Sequence, residues 1–216
     1  MRLLVTAGPT REYLDSVRFI SNASSGKMGF AIAGEAAARG HVVTLISGPV
    51  ELGDPPRVRV VRVVSAAEMF EASVKSFAEC NAAVMAAAVS DYRPKERFSA
   101  KLAKQDQSRS LELEATPDIC AHLGAQKGAR VVVGFAMEDH DHRAHAEAKL
   151  QRKHCDAIVM NDLANLGAEG AEVRFLLADG GWQPSISGNK AEIARAIVGL
   201  VERLYRPTAP QDFFVG

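Results

Sequence analysis

The sequence predicts an α/β protein built on a doubly wound, mostly parallel sheet. Short runs rich in Val, Ile, Leu and Ala recur as near-continuous apolar stretches, the pattern of strands buried on both faces. They alternate with helical patterns, as β-α-β units require. Near the end, "EVRFLLADGGWQPSI" carries a turn signal at Asp179-Gly180-Gly181, which adds a late antiparallel hairpin.

In chain order, "LLVTAG" (3–8) reads as the first strand and "GFAIAGEAAARG" (29–40) as an Ala-rich helix closed by Gly40. "HVVTLISG" (41–48) and "RVRVVRVV" (57–64) read as strands. "SAAEMFEASVKSFAEC" (65–80) opens a helix with Ser65 as N-cap and Glu68 three residues on, the capping-box spacing. "AAVMAAAV" (82–89) predicts a buried strand, followed by a short helix from Thr116 and a strand at "ARVVVGFAM" (129–137). The helix "EDHDHRAHAEAKLQRKH", the strand "DAIVMND" (156–162), the hairpin and the amphipathic helix "KAEIARAIVGLVERLY" complete one domain over 1–206. Residues 91–110, "DYRPKERFSAKLAKQDQSRS", are polar and lack periodicity; inside a compact domain such a segment reads as a functional arm or lid. Residues 207–216 read as an irregular extension whose Phe213 and Phe214 pack on a neighbour.

Composition narrows the function. With 26 basic and 26 acidic side chains the formal charge is zero, so nothing attracts nucleic acid or an anionic membrane surface globally. Any anionic ligand must be caught by local geometry. Three cysteines without a C-x-x-C spacing argue for reduced thiols rather than a disulfide framework. The opening "MRLLVTAGPTR" has too short an apolar run for a signal peptide or a membrane span, so the expected location is the cytoplasm.

In a doubly wound sheet the ligand lies beyond the carboxyl ends of the strands, here the loops "TAGPTR", "AAAVSDYRPK", "GFAMED" and "MNDLAN". The first connection, Gly8 to Gly29, is far longer than the βα turn of a Rossmann G-x-G-x-x-G. Its Gly26-Lys27 pair is not a Walker A loop, since Ser21 and Met28 occupy the positions that need Gly and Ser or Thr. Ser24, Ser25 and Gly26 nevertheless precede a helix start, where free N–H groups favour an anion, with Arg18, Asn22 and Lys27 close in sequence. Lys101 and Lys104 in the arm read either as solvated or as a lid over a triphosphate. Lys149 and Lys153 share a helix face. His140, His142 and His145 lack the partners that would complete a zinc site, and a solvated helix start describes them better. No nucleophile elbow is present. A nicotinamide enzyme is disfavoured too, because no acid stands at the end of "HVVTLIS" to take a ribose.

Taken together, "TAGPTRE", "VRFISNASSGKMG", "AAAVSDYRPK", "AKLAK", "TPDI", "VGFAME" and "MND" closely resemble phosphopantothenoylcysteine synthetase, the phosphopantothenate–cysteine ligase of coenzyme A biosynthesis. The resemblance runs in order from about residue 3 to residue 206 and implies a Rossmann-like fold. It implies a two-step reaction, in which 4′-phosphopantothenate is activated by a nucleoside triphosphate, usually CTP in bacteria and otherwise ATP, with Mg²⁺, and the acyl-nucleotide then condenses with L-cysteine. It further implies a cytoplasmic homodimer in a stand-alone form, with a separate decarboxylase acting next. Carried onto this chain, Gly8, Ser24, Gly26 and Gly29 line the nucleotide phosphates, and Asn22 holds the acyl-nucleotide through its carbonyl or phosphate. Arg18, Ala87 and Ala88 stand around that intermediate and the cysteine step, and Lys101 is the lid lysine. Asp91, Pro117, Asp118, Ile119, Cys120, Phe135, Lys149 and Lys153 match nucleotide contacts, with Asn161 beside the base. The lid departs from the family's usual string by carrying Ala103 in place of a basic residue. The competing reading is a non-catalytic nucleotide-binding domain of the same fold.

Overall fold

The computed structural model describes residues 1–104, 108–138, 141–162 and 170–205. The C-terminal extension with Phe213 and Phe214, and His140, lie outside them.

The parallel core consists of β1 (Arg2–Ala7), β4 (Val42–Ser47), β5 (Val58–Arg62), β6 (Ala82–Met85), β9 (Val131–Glu138) and β10 (Ala157–Asp162), in the spatial order β5-β4-β1-β6-β9-β10. That order runs outward in both directions from β1, so the winding reverses between β1 and β6. Side chains alternate between two cores. Leu3, Val5 and Ala7 pack with α1 (Lys27–Ala38) and α5 (Lys190–Leu204) on one face. Leu4 joins the other, under α2 (Ala66–Phe77), α3 (Ile119–Ala125) and α4 (His142–Arg152). Burial on both faces explains the continuous apolar runs.

The late hairpin is present, with β11 (Gly170–Leu177) antiparallel to β10 and turning into β12 (Gly181–Trp182). Sequence patterning missed β13 (Ile186–Asn189), which pairs with the first half of β11. Being antiparallel to β11, β13 runs in the same sense as β10, so α5 starts at the carboxyl edge of the sheet, as α1 does. Asn189 caps α5 in a full capping box with Glu192. Ser65 caps α2 as its spacing predicts, accepting the Glu68 amide at 3.2 Å.

Three expectations need correction. The strand expected through Val89 ends at Met85, because residues 86–89 leave the sheet to form the cleft floor. The helix expected from Thr116 starts at Ile119, with Asp118 as its cap. Short ribbons also form where the sequence predicts no strand: β2 (Arg11–Tyr13) pairs with β3 (Phe19–Ser21), and β7 (Tyr92–Pro94) pairs with β8 (Leu113–Ala115) at the base of the arm.

Candidate active site

The reversal between β1 and β6 leaves a crevice at the carboxyl edge, since the loops leaving these strands diverge to opposite faces. They are stitched to each other. Ala88 donates its amide to the Gly8 carbonyl at 2.9 Å, Ala87 donates to Thr6 Oγ1 at 3.2 Å, and Ser90 donates to Thr10 Oγ1 at 3.0 Å. Thr116 Oγ1 then donates to the Ser90 carbonyl at 2.6 Å, which brings the start of α3 to the same rim. The crevice is a cleft of about 590 Å³.

Gly8 and Gly26 both adopt left-handed backbone, with φ of 74° and 73°. A Cβ on Gly26 would lie 2.8 Å from Val50 Cγ1 and 3.3 Å from the Gly8 Cα, so the loop returning to α1 rests directly on the β1 turn. Gly29 presses closer still: a Cβ there would stand 2.5 Å from the Ala7 Cβ. These contacts aim the N-terminus of α1 into the cleft. No side chain caps it. Its first amides and the positive end of the helix dipole are therefore available to an anion.

Asn22 stands over the Ala88 loop, donating from Nδ2 to the Ala88 and Val89 carbonyls at 3.2 and 3.0 Å. Both bonds use the amide nitrogen, so Oδ1 is the acceptor left on a residue that lines the cleft. Asp118 pairs with Lys153 at 3.2 Å. Cys120 lies 3.5 Å, sulfur to sulfur, from Cys155. That hydrogen bond holds the Cys120 thiol below its usual range and, with burial, pushes Cys155 up.

The cleft brings together most of the expected residues: Asn22, Ser24, Gly26, Gly29, Ala87, Ala88, Asp91, the Pro117–Cys120 turn, Phe135, Lys149, Lys153 and Asn161 all line it. Three do not. Gly8 is buried beneath Gly26 as floor. Arg18 and Lys101 belong to a neighbouring region, Lys101 being exposed on the arm. Arg18 pairs with Asp15 at 2.7 Å, bonds the Leu102 carbonyl, and borders a second hollow of about 940 Å³ with Leu14, Phe98 and Lys104. Asp15 is fully buried and accepts from the amides of Arg18 and Val17 at 2.8 Å and of Leu102 at 3.1 Å. The Arg18 amide bond leads the contacts that hold its carboxyl well below the usual carboxylate range against the opposing effect of burial. Sequence reading missed Lys190 as a cleft residue, since its place follows from the unforeseen strand β13.

The family model described as the DNA/pantothenate metabolism flavoprotein C-terminal domain matches residues 1–204. The chain belongs to this family. A CoaBC bifunctional protein of coenzyme A biosynthesis from Bacillus subtilis (strain 168) is 39% identical over 215 residues, 97% of this chain and 53% of that protein. A cysteine/cysteine sulfinic acid decarboxylase from an unknown prokaryotic organism is 47% identical over 169 residues, 77% of this chain and 47% of its own length. The chain thus spans about half the length of these curated relatives. The crystal structure of the C-terminal domain of a CoaBC protein matches with a TM-score of 0.80 and 38% identity, covering 94% of each chain. No described helix is long and apolar enough to cross a membrane.

Proposed function

We propose that this chain is a phosphopantothenate–cysteine ligase, forming 4′-phosphopantothenoylcysteine through an acyl-nucleotide. The observation that carries the reading is Asn22. It is locked by two backbone carbonyls over the Ala87-Ala88 turn, beside the uncapped start of α1, at the reversal point of the sheet of a family whose relatives include CoaBC proteins. A carboxylate cannot form an amide at neutral pH without activation, since oxide is too poor a leaving group. Its oxygen therefore attacks the α-phosphorus, the bond to the β-phosphate oxygen breaks, and pyrophosphate leaves with the electron pair. The cysteine amine next attacks the acyl carbon, and the nucleoside monophosphate leaves.

In this scheme Ser24, Gly26 and the first amides of α1 hold phosphate oxygens, and Asn22 Oδ1 accepts a hydrogen from the attacking amine, orienting its lone pair. The small Ala87 and Ala88 let the acyl group reach the backbone. Phe135 offers an aromatic wall and Asn161 an amide for the base, with CTP preferred over ATP. Mg²⁺ arrives with the triphosphate. Among the described residues no group of three His, Cys, Asp or Glu could cage a metal, and the Asp91 carboxylate at the cleft is the kind of lone ligand that a phosphate-borne Mg²⁺ takes. In this reading the protein works as a cytoplasmic homodimer, and a decarboxylase acts next on its product.

The placement of Lys101 outside the cleft favours one rival, a domain that binds nucleotide without catalysis. Pyrophosphate release with Mg²⁺, 4′-phosphopantothenate and cysteine, run with CTP and then with ATP, separates the two. The ligase releases pyrophosphate only when phosphopantothenate is present and prefers CTP; a binding domain releases none with either nucleotide.

A further inference from the structure

Two cations converge on the cleft from helices distant in sequence. Lys27 opens α1 and Lys190 opens α5, and both line the cleft. Their meeting is built into the fold. The two helices pack side by side on one face of the sheet, clasped at their far ends by Arg39 and His41 against Glu202 at 2.7 and 2.8 Å. β13 runs in the same sense as β10, so both helices point their N-termini over the carboxyl edge.

Neither lysine has an acidic partner among the described residues, whereas Lys153 across the cleft is paired with Asp118. Lys190 is half-buried, and Lys27 is near enough to act on it: burial first, and then the Lys27 charge, push its ammonium below the usual lysine range. Two unpaired cations held close together beside an uncapped helix start are an unfavourable arrangement until an anion sits between them.

We propose that Lys190 is a further substrate-binding residue, forming with Lys27 a two-cation seat for a phosphate group of the substrates. This rests on the ligase reading only for the identity of that phosphate. The occupant is the β,γ-phosphate tail of the nucleotide or the terminal phosphate of phosphopantothenate. At the nucleotide tail the lysines would also stabilise the charge that gathers on pyrophosphate as the bond to the α-phosphorus breaks.

The test is calorimetric binding of inorganic pyrophosphate and, separately, of 4′-phosphopantothenate to the full chain, comparing wild type with Lys190→Gln and Lys190→Arg. Lys75→Gln is the control, because it removes the same charge from the exposed end of α2, outside the cleft. Losing one charged contact weakens binding about tenfold or more. Lys190→Gln therefore raises the Kd of one probe by about that factor, Lys190→Arg restores most of it, and Lys75→Gln changes neither. A rise for pyrophosphate assigns the seat to the nucleotide tail, and a rise for phosphopantothenate assigns it to that substrate's phosphate. Unchanged constants for both probes, or an equal loss in Lys75→Gln, overturn the proposal. Because the readout is binding, protein that holds pyrophosphate through Lys190 yet never makes the amide would sink the ligase reading and leave this seat standing.

Discussion

The cleft floor and the arm are both loop, but they are held in opposite ways. The floor is tied into the sheet, residue by residue, through Thr6, Gly8, Thr10 and Thr116. The arm leaves the sheet on the β7–β8 ribbon and is held back through Asp15 and Arg18, which bond the Leu102 amide and carbonyl, and through the Phe98 amide on the Leu14 carbonyl at 2.9 Å. The difference teaches where catalytic geometry is fixed in advance. Asn22 and Ala88 are already positioned, while Lys101 would have to travel, or be supplied by a second copy, to reach a substrate in the cleft.

The largest expected effect breaks the floor. Asn22→Ala should lower kcat by about 100- to 1,000-fold, the range for losing one preorganised polar group, while the melting temperature stays near wild type. A loss of less than tenfold would mean that the residue is only a strut for the Ala88 loop.

Gly29→Ala tests the packing beneath it. The added methyl meets Ala7 and the Thr6 carbonyl, at 2.5 and 3.0 Å, so something there must shift. Overpacking of this kind costs about 1–3 kcal/mol, which denaturant unfolding would read as a lower midpoint with unchanged slope. An equal midpoint would show that α1 can ride outward from β1.

How much of this was legible in the sequence follows the same divide. The parallel strands and the caps at Ser65 and Gly40 were readable because buried apolar runs and capping spacings are local signals. The cleft residues came through a resemblance carried by loops that the winding then assembled. What failed was non-local. The strand from Ala82 looks apolar through Val89, and only the need to open the crevice ends it at Met85. β2, β3, β7 and β8 are three-residue strands that are strands only because of their partners. Lys190 carries no local mark of a site, and its position depends on β13. Arg18 and Lys101 were grouped with the cleft, yet a buried carboxylate holds their neighbourhood elsewhere.

That carboxylate gives a sharper test of the arm. An ordinary Asp titrates near pH 3.9 in the unfolded chain, and Asp15 lies well below this when folded. Its contribution is therefore complete above about pH 3.9 and is lost only as the pH falls further toward the folded value. Hydrogen exchange should find the Leu102 amide equally protected at pH 7 and at about pH 4.5, and exposed at both in Asp15→Asn, with the cleft loops unchanged. Protection that fades in wild type over this range would place the clasp on a different group.

The smallest effect concerns Cys120, whose thiol is favoured for ionisation by its Cys155 neighbour and lines the cleft. Iodoacetamide should modify it faster than Cys80, which is buried and shifted upward chiefly by desolvation, and CTP should slow the modification several-fold. Equal rates with and without nucleotide would place the base away from α3.

The most direct measurement follows oxygen. Phosphopantothenate labelled with ¹⁸O in its carboxylate is turned over with CTP and cysteine, and the products are weighed by mass spectrometry. Attack on the α-phosphorus puts one label into CMP and none into orthophosphate. Label in orthophosphate, with CDP as the partner product, would mean that the carboxylate is activated through the γ-phosphate and would contradict the acyl-nucleotide reading of this cleft.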